Sequence, residues 1–283
     1  SKPGANIYNI RVVSNSWGTN ADYDPEDAIV KITEKLTYEN NVVVVFAAGN
    51  AGSDNHDGHT VTTNPYSLTP CAISVAAAEH DGTGVAEFSS RGKADLNFTW
   101  PDVMAPGVDV WSTEARRTLI TALRQGDGDA YYMAISGTSM ATPHVAGAVA
   151  LLWQACPVLR VSEFRDDYNG NDTTYWHRNN TRIHEAEWIL KATARYLEPD
   201  GENGVPANCS IGLLGKKNDY AQGYGLIDVD RAVALALTLN ELRKTHPEAT
   251  VMDAYRIYRR IMRYGFEHGA GVITTTWNGE WSY

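Results

Sequence analysis

Three short apolar runs, Ile10 to Val13, Val42 to Phe46 and Ala72 to Ala76, recur early in the chain, each bounded by Gly, Asn or Pro. Their apolarity is continuous and does not alternate, which predicts strands buried on both faces, as in a parallel sheet covered by helices. Between the first two runs, Asp24-Pro25-Glu26-Asp27 introduces apolar positions at Ala28, Ile29, Ile32 and Leu36, the spacing of a helix with an acidic first turn. Strand, helix, strand in that order implies a right-handed crossover. After Gly137, the small and apolar residues up to Trp153, ending at Cys156-Pro157, predict a central helix buried all round. Residues from Val158 to about Gly215 are looser, with a solvent loop at Asp166 to Asp172 and a helix from about Ile183 to Ala194. Gly223 to Asp228 marks a turn into a helix at about Val229 to Lys244. An amphipathic helix at Val251 to Tyr264 and a Thr- and Trp-rich tail follow. The fold class is therefore α/β.

Composition narrows what such a chain can do. Its 283 residues can bury a full core, and 43% hydrophobic with 20% charged residues excludes global disorder. A formal net charge of -10 argues against nucleic acid or an anionic membrane as partner, since phosphate binding needs clustered Lys and Arg. No run approaches the roughly 18 apolar residues of a membrane span, and the chain does not open with a basic, then apolar, signal segment. Cys71, Cys156 and Cys209 are widely spaced without a CxxC pair, which fits neither a zinc site nor a dense disulfide framework. Four Asn-x-Ser/Thr sequons, beginning at Asn97, Asn171, Asn179 and Asn208, are compatible with secretion.

The segment Ser136 to Gly147 carries the chemistry. Gly137 permits a close backbone approach, and a helix beginning at once leaves the Ser139 hydroxyl at its N-terminus, where unpaired N–H groups and the positive dipole end favour a developing anion. Spacing alone fits this nucleophile and a plain N-cap at Thr138 or Ser139 equally well. The residues themselves go further. GTSMATPHVAG, from Gly137 to Gly147, resembles the nucleophile motif of the subtilisin-like serine proteases almost residue for residue. Val45 to Gly52 is similar to the family's oxyanion segment and Val12 to Gly18 to its substrate-binding strand. Phe88 to Gly92, Pro101 to Gly107 and Gly223 to Asp228 also match, in the family's order.

The resemblance implies a subtilisin-like parallel sheet flanked by helices, with residues 1–236 as the carboxy-terminal part of the catalytic domain and 237–283 as a helical extension. It implies a serine endopeptidase acting on polypeptides through an acyl-enzyme on Ser139. Asn50 and the Ser139 N–H then hold the oxyanion, while Ser16, Trp17 and Gly18 face Ala47, Ala48 and Gly49 across the cleft for the residue before the scissile bond. The width of Trp17 favours sizeable apolar side chains there. Structural calcium is implied weakly, at carbonyls near Ser67, Thr69 and Ala72 together with Asp102. His144, five residues past the nucleophile, is a packed or helix-satisfied histidine, and His56 and His59 belong to a solvated loop.

The family's triad runs Asp, His, Ser in chain order, and these residues contain neither an Asp-x-Gly segment after a buried strand nor an HGTHVAG helix. The amino-terminal part of the fold is thus expected in a complementary segment or chain carrying the Asp and His. The chain alone is expected to be nearly inactive, with a wide apolar edge exposed, and the whole protein to be secreted. The alternative is a non-catalytic module that binds peptides or packs on a partner through the Ser16 to Gly18 edge. The Arg256, Arg259, Arg260 and Arg263 row reads as a solvated face.

Overall fold

The computed structural model describes residues 8–114, 131–165 and 182–267. The sequons at Asn171 and Asn179, the loop at 166–172 and the tail after 267 lie outside these residues.

The apolar runs form a parallel sheet in the order β1 (Val12–Asn15), β2 (Val43–Ala47), β3 (Ala72–Ala78), β4 (Val103–Pro106). Every residue of β2 and β3 is buried, as continuous apolarity requires. Side-chain alternation splits β2 between two cores. Val43 and Val45 face one cluster, and Val44 and Phe46 face another with Ile29, Leu36 and Tyr66. Each such fully buried Val or Phe contributes about 1.5–3 kcal/mol.

Helix α1 (Ala28–Asn40) covers the second cluster. Its N-cap Asp27 accepts the Ile29 N–H at 2.7 Å, and Asn41 ends it in the left-handed region at φ 54°. A hairpin of β5 (Val110–Thr113) and β6 (Tyr132–Ile135) leads into α2 (Thr138–Ala155), which lies over the four strands on the first cluster. The helix is not buried all round. Pro143, His144, Gly147, Ala150, Leu151 and Gln154 form one exposed stripe, with Leu151 46% exposed.

Strands β7 (Val161–Arg165) and β8 (Arg182–His184) pair antiparallel and lead into α3 (Glu185–Thr193). Helices α4 (Val229–Thr245) and α5 (Val251–Glu267) complete the described residues. The division at residues 236 and 237 falls inside α4. Leu235 and Ala236 before it share one cluster with Leu239, Val251, Ala254 and Tyr258 after it. Arg256, Arg259, Arg260 and Arg263 all point to solvent.

Candidate active site

Ser139 is the second residue of α2, half-buried, directly after the Gly137–Thr138 entry. Helix geometry leaves its backbone N–H without an acceptor one turn earlier, and none is found among the described residues. Its Oγ donates to the Ser16 carbonyl at 3.3 Å, and no titratable side chain reaches it among the described residues. Ser16 Oγ in turn donates to the Ser139 carbonyl at 2.8 Å. Pro143 explains why that carbonyl is free. Four residues on, it has no N–H to donate, so the helix gives up one internal bond and Ser16, just past β1, takes it over.

Asn50 sits three residues beyond β2 and faces the helix start. Its Oδ1 accepts the Thr138 N–H at 2.9 Å and the Thr138 hydroxyl at 2.8 Å. Both partners are donors, so the amide orientation is fixed, with Nδ2 turned away from Thr138 and unengaged among the described residues. The Thr138 hydroxyl also accepts the Gly49 N–H at 3.2 Å. Two N–H donors, Asn50 Nδ2 and the Ser139 amide, therefore remain available beside one hydroxyl. Sequence reasoning identifies Thr138 only as a cap. The signal for more is its place between Gly137 and Ser139, but the partner lies 88 residues away.

The loop that carries Asn50 is braced from behind. Gly49 has φ 108°, and a Cβ on it would lie 2.7 Å from Ser90 Oγ, so only glycine fits. Ser90 Oγ accepts the Ala51 N–H, its N–H donates to the Gly49 carbonyl, and the Phe88 carbonyl accepts the Gly52 N–H. The Phe88 to Gly92 segment thus braces the loop that carries Asn50.

Ser16, Trp17 and Gly18 and the Ala47 to Gly49 segment come together as two walls. The Trp17 ring lies edge-on to Phe46 at 5.5 Å and Tyr66 at 5.6 Å, and Trp17 is 49% exposed. A residue that no sequence motif singles out joins the walls. Asn64 Nδ2 donates to the Trp17 carbonyl at 3.1 Å and the Ala47 carbonyl at 3.0 Å.

The other sequence candidates lie elsewhere. His144 is exposed, and its Nδ1 donates back to the Met140 carbonyl at 2.8 Å, a helix-satisfied ring. His56 and His59 are both exposed, and His56 Nδ1 also meets the buried Arg91 guanidinium at 3.0 Å at the rim of a cleft of about 440 Å³ shared with Tyr220 and Cys209. No group of three or more metal-ligating side chains occurs among the described residues. Cys71, Cys156 and Cys209 are free thiols, and burial pushes that of Cys71 up to about 12, leaving it protonated and inert.

The Ser67, Thr69, Ala72 and Asp102 set does not fit calcium. Asp102 Oδ1 lies 2.8 Å from the ammonium of the fully buried Lys191, and its Oδ2 accepts the Ser74 N–H at 2.7 Å. The Thr69 carbonyl accepts the Ala72 N–H. A cation of the protein's own already engages the one carboxylate, so the oxygen-rich cage that calcium needs is not offered.

The sequence profile of the subtilase family matches residues 7–204. The chain is 33% identical over 207 residues to the serine protease AprX of Bacillus subtilis, covering 70% of this chain and 43% of that protein. It is 32% identical over 180 residues to subtilisin DY of Bacillus licheniformis, covering 60% and 57%, and 38% identical over 154 residues to subtilisin E of Bacillus subtilis, covering 52% and 34%. The chain thus spans about half or less of the length of these relatives.

Proposed function

Because this chain belongs to the subtilase family of serine peptidases, we propose that it is the nucleophile- and oxyanion-bearing part of a serine endopeptidase acting on polypeptides. The observation that carries this reading is the pair of unengaged donors beside the Ser139 hydroxyl, one of them aimed by Thr138. An Asp–His pair from residues outside this sequence takes the Ser139 proton as Oγ attacks the peptide carbonyl. Asn50 Nδ2 and the Ser139 N–H hold the resulting oxyanion, with donors that are positioned before charge develops. The histidine then gives its proton to the leaving amine, and water, deprotonated by the same histidine, hydrolyses the acyl-enzyme. Without that pair the hydroxyl keeps its proton, and the chain alone is nearly inactive.

Two surfaces support a complementary segment bringing the Asp and His. β1 pairs on one side only, with β2, so its other edge is open among the described residues. The exposed stripe of α2, largely small and apolar, runs from the nucleophile end to Gln154. Export of the whole protein is part of the same proposal. It draws support from the exposed sequon at Asn208 and not from Asn97, whose Thr99 is buried with its hydroxyl bonded to the Leu96 carbonyl. Among the described residues no helix is long and apolar enough to cross a membrane.

A fluorophosphonate probe tests the proposal. Rapid labelling mapped to Ser139 when the upstream Asp–His segment is present, with little in its absence, is the expected result. No adduct in either case overturns it in favour of a peptide-binding module that uses the Ser16 to Gly18 edge.

A further inference from the structure

We propose that the cleft between His56, Tyr220 and the Val205 to Ser210 segment binds an organic carboxylate with an apolar body, the chemistry of a peptide's carboxy-terminal residue, on the Nε2–H of His56 with the buried Arg91 charge behind it. The cleft shares no lining residue with the Ser139 site, and the inference does not depend on the peptidase reading.

Its volume of about 440 Å³ lies within the roughly 300–1,000 Å³ of small-molecule sites. Arg91, 1% exposed, lies beneath it. The Arg91 Nη1 donates to His56 Nδ1 at 3.0 Å, and a Cβ on Gly204, beside the lining residue Val205, would come within 3.3 Å of its Nη2. Its Nε and Nη2 have no hydrogen-bond partner among the described residues. The neighbouring Asp219 does not supply one. Its two oxygens accept the Ala221 and Gln222 N–H groups, the Tyr196 hydroxyl and the Gln222 amide. Burial pulls the Arg91 pKa down, but a guanidinium keeps its proton.

A guanidinium can only donate, so His56 Nδ1 is the acceptor and the ring proton sits on Nε2. That N–H lies across the ring from Arg91, on an exposed side chain lining the cleft, and meets no acceptor among the described residues. The imidazole therefore offers a donor while neutral, polarised by a cation that solvent screens little. Its loop is held in place. The Tyr220 hydroxyl donates to the His56 carbonyl at 2.8 Å, and the buried Asn55 both donates to the Thr60 carbonyl at 2.7 Å and accepts the Thr60 N–H at 3.0 Å. The donor is thus preorganised. Val205, Pro206 and Trp100 supply buried apolar lining, and the Trp100 Nε1 is already engaged by the Lys93 carbonyl at 2.7 Å. One donor in such surroundings fits a monoanion with an apolar body better than a phosphate, which calls for several donors. The opposing charge, Asp57, stands at the exposed rim, where solvent screens it.

Cys209, the exposed thiol in the lining, reports occupancy, since Cys71 and Cys156 are buried. The protein with its Asp–His segment, carrying Ser139→Ala so that no probe is cut, is alkylated with iodoacetamide and the adduct at Cys209 is followed. The probes are acetyl-Ala-Ala-Leu, its carboxamide, N-acetylleucine and sodium sulfate. The tripeptide acid is expected to slow alkylation saturably, and the carboxamide to bind at least about tenfold more weakly, the loss that one charge-assisted hydrogen bond carries. His56→Ala, at an exposed position, is expected to bring acid and carboxamide to the same weak affinity. A merely steric role for His56 would move both together and keep their ratio. Tighter binding of the tripeptide than of N-acetylleucine identifies a polypeptide terminus as the source, and equal binding a free small carboxylate; either upholds the site. No protection by either acid, equal affinity for acid and carboxamide, an unchanged ratio in folded His56→Ala, or sulfate binding as well as the acids overturns the proposal. If His56→Ala does not fold, the comparison of acid with carboxamide in the protein that keeps His56 decides.

Discussion

Replacing Lys191 by Met should be among the most damaging single substitutions outside the active site. Lys191 lies on α3 and is 1% exposed. Its ammonium is 2.8 Å from Asp102 Oδ1 and 2.7 Å from Glu187 Oε1, and these side chains are 1% and 2% exposed. It also sits 5.6 Å from the centre of the Tyr224 ring. Met has nearly the length and apolar volume of the lysine stem, so the change opens little cavity and removes mainly charge. Two carboxylates then remain in the interior without their cation. Taking one partner from a buried ion pair costs about 3–5 kcal/mol, since the remaining charge is left without compensation. At about 2–4 °C per kcal/mol for a chain of this size, the melting temperature should fall by roughly 10 °C. Thermal and urea unfolding followed by circular dichroism measure it. Adding Asp102→Asn and Glu187→Gln to Lys191→Met should restore most of the loss, because neutral amides leave no net charge to bury. A Lys191→Met melting temperature within about 2 °C of the parent would refute the argument, since the lysine would then be contributing packing only.

Thr138→Val keeps the shape but removes the hydroxyl that aims Asn50 and receives the Gly49 N–H. The Thr138 backbone N–H still holds Asn50 Oδ1, so kcat should fall about tenfold with KM little changed, in line with a less well aimed Asn50 Nδ2 bond to the oxyanion, which is made only at the transition state. An unchanged rate of Ser139 phosphonylation would show that the hydroxyl does not orient the amide. His184 caps α3 by accepting the Ala186 N–H on Nδ1, and burial, with Arg11 nearby, lowers its pKa to about 3 from the ordinary 6.5. Between those values the unfolded chain binds the proton and the folded one does not. This stability is therefore complete above pH 6.5 and is lost on acidification toward 3, with a slope of at most about 1.4 kcal/mol per pH unit. His184→Asn retains a capping acceptor without a titrating group, so urea unfolding at pH 4, 5.5 and 7.5 should show a flatter acid limb, and an identical limb would sink the assignment.

Patterns that are local in the chain are legible in the amino-acid order itself. The both-face apolarity of Val42 to Phe46 and Ala72 to Ala76 specifies β2 and β3. The acidic turn before Ala28 specifies α1, and Gly137 to Gly147 places Ser139 at a helix start, with Asn50 as its expected oxyanion partner supplied only by the resemblance to the subtilisin-like proteases. Such features depend on residues a few positions apart, where the periods of 2 and 3.6 and the needs of helix ends operate. Strand β4 within Pro101 to Gly107 escapes this kind of reading, because it is only four residues long and ends on a proline.

What only the tertiary structure decides is which distant groups share a hydrogen bond or a charge. Asn64 meets Trp17 at a separation of 47 residues, and Thr138 meets Asn50 at 88. Lys191, in a segment whose pattern signals little chemistry, reaches Asp102 and displaces the calcium expectation from it. The size of Trp17 suggests a cleft wall, but which groups its ring meets, Phe46 and Tyr66 edge-on, is decided by tertiary contacts. Composition likewise makes α2 apolar all round, yet only packing partners decide which faces are covered, and the stripe from Pro143 to Gln154 is not. Sequence by itself therefore specifies the helix start that carries Ser139, the proposed nucleophile, and the strands around it. The donors that aim it and the surface left for its activating pair depend on contacts between segments far apart in the chain, which no local pattern encodes.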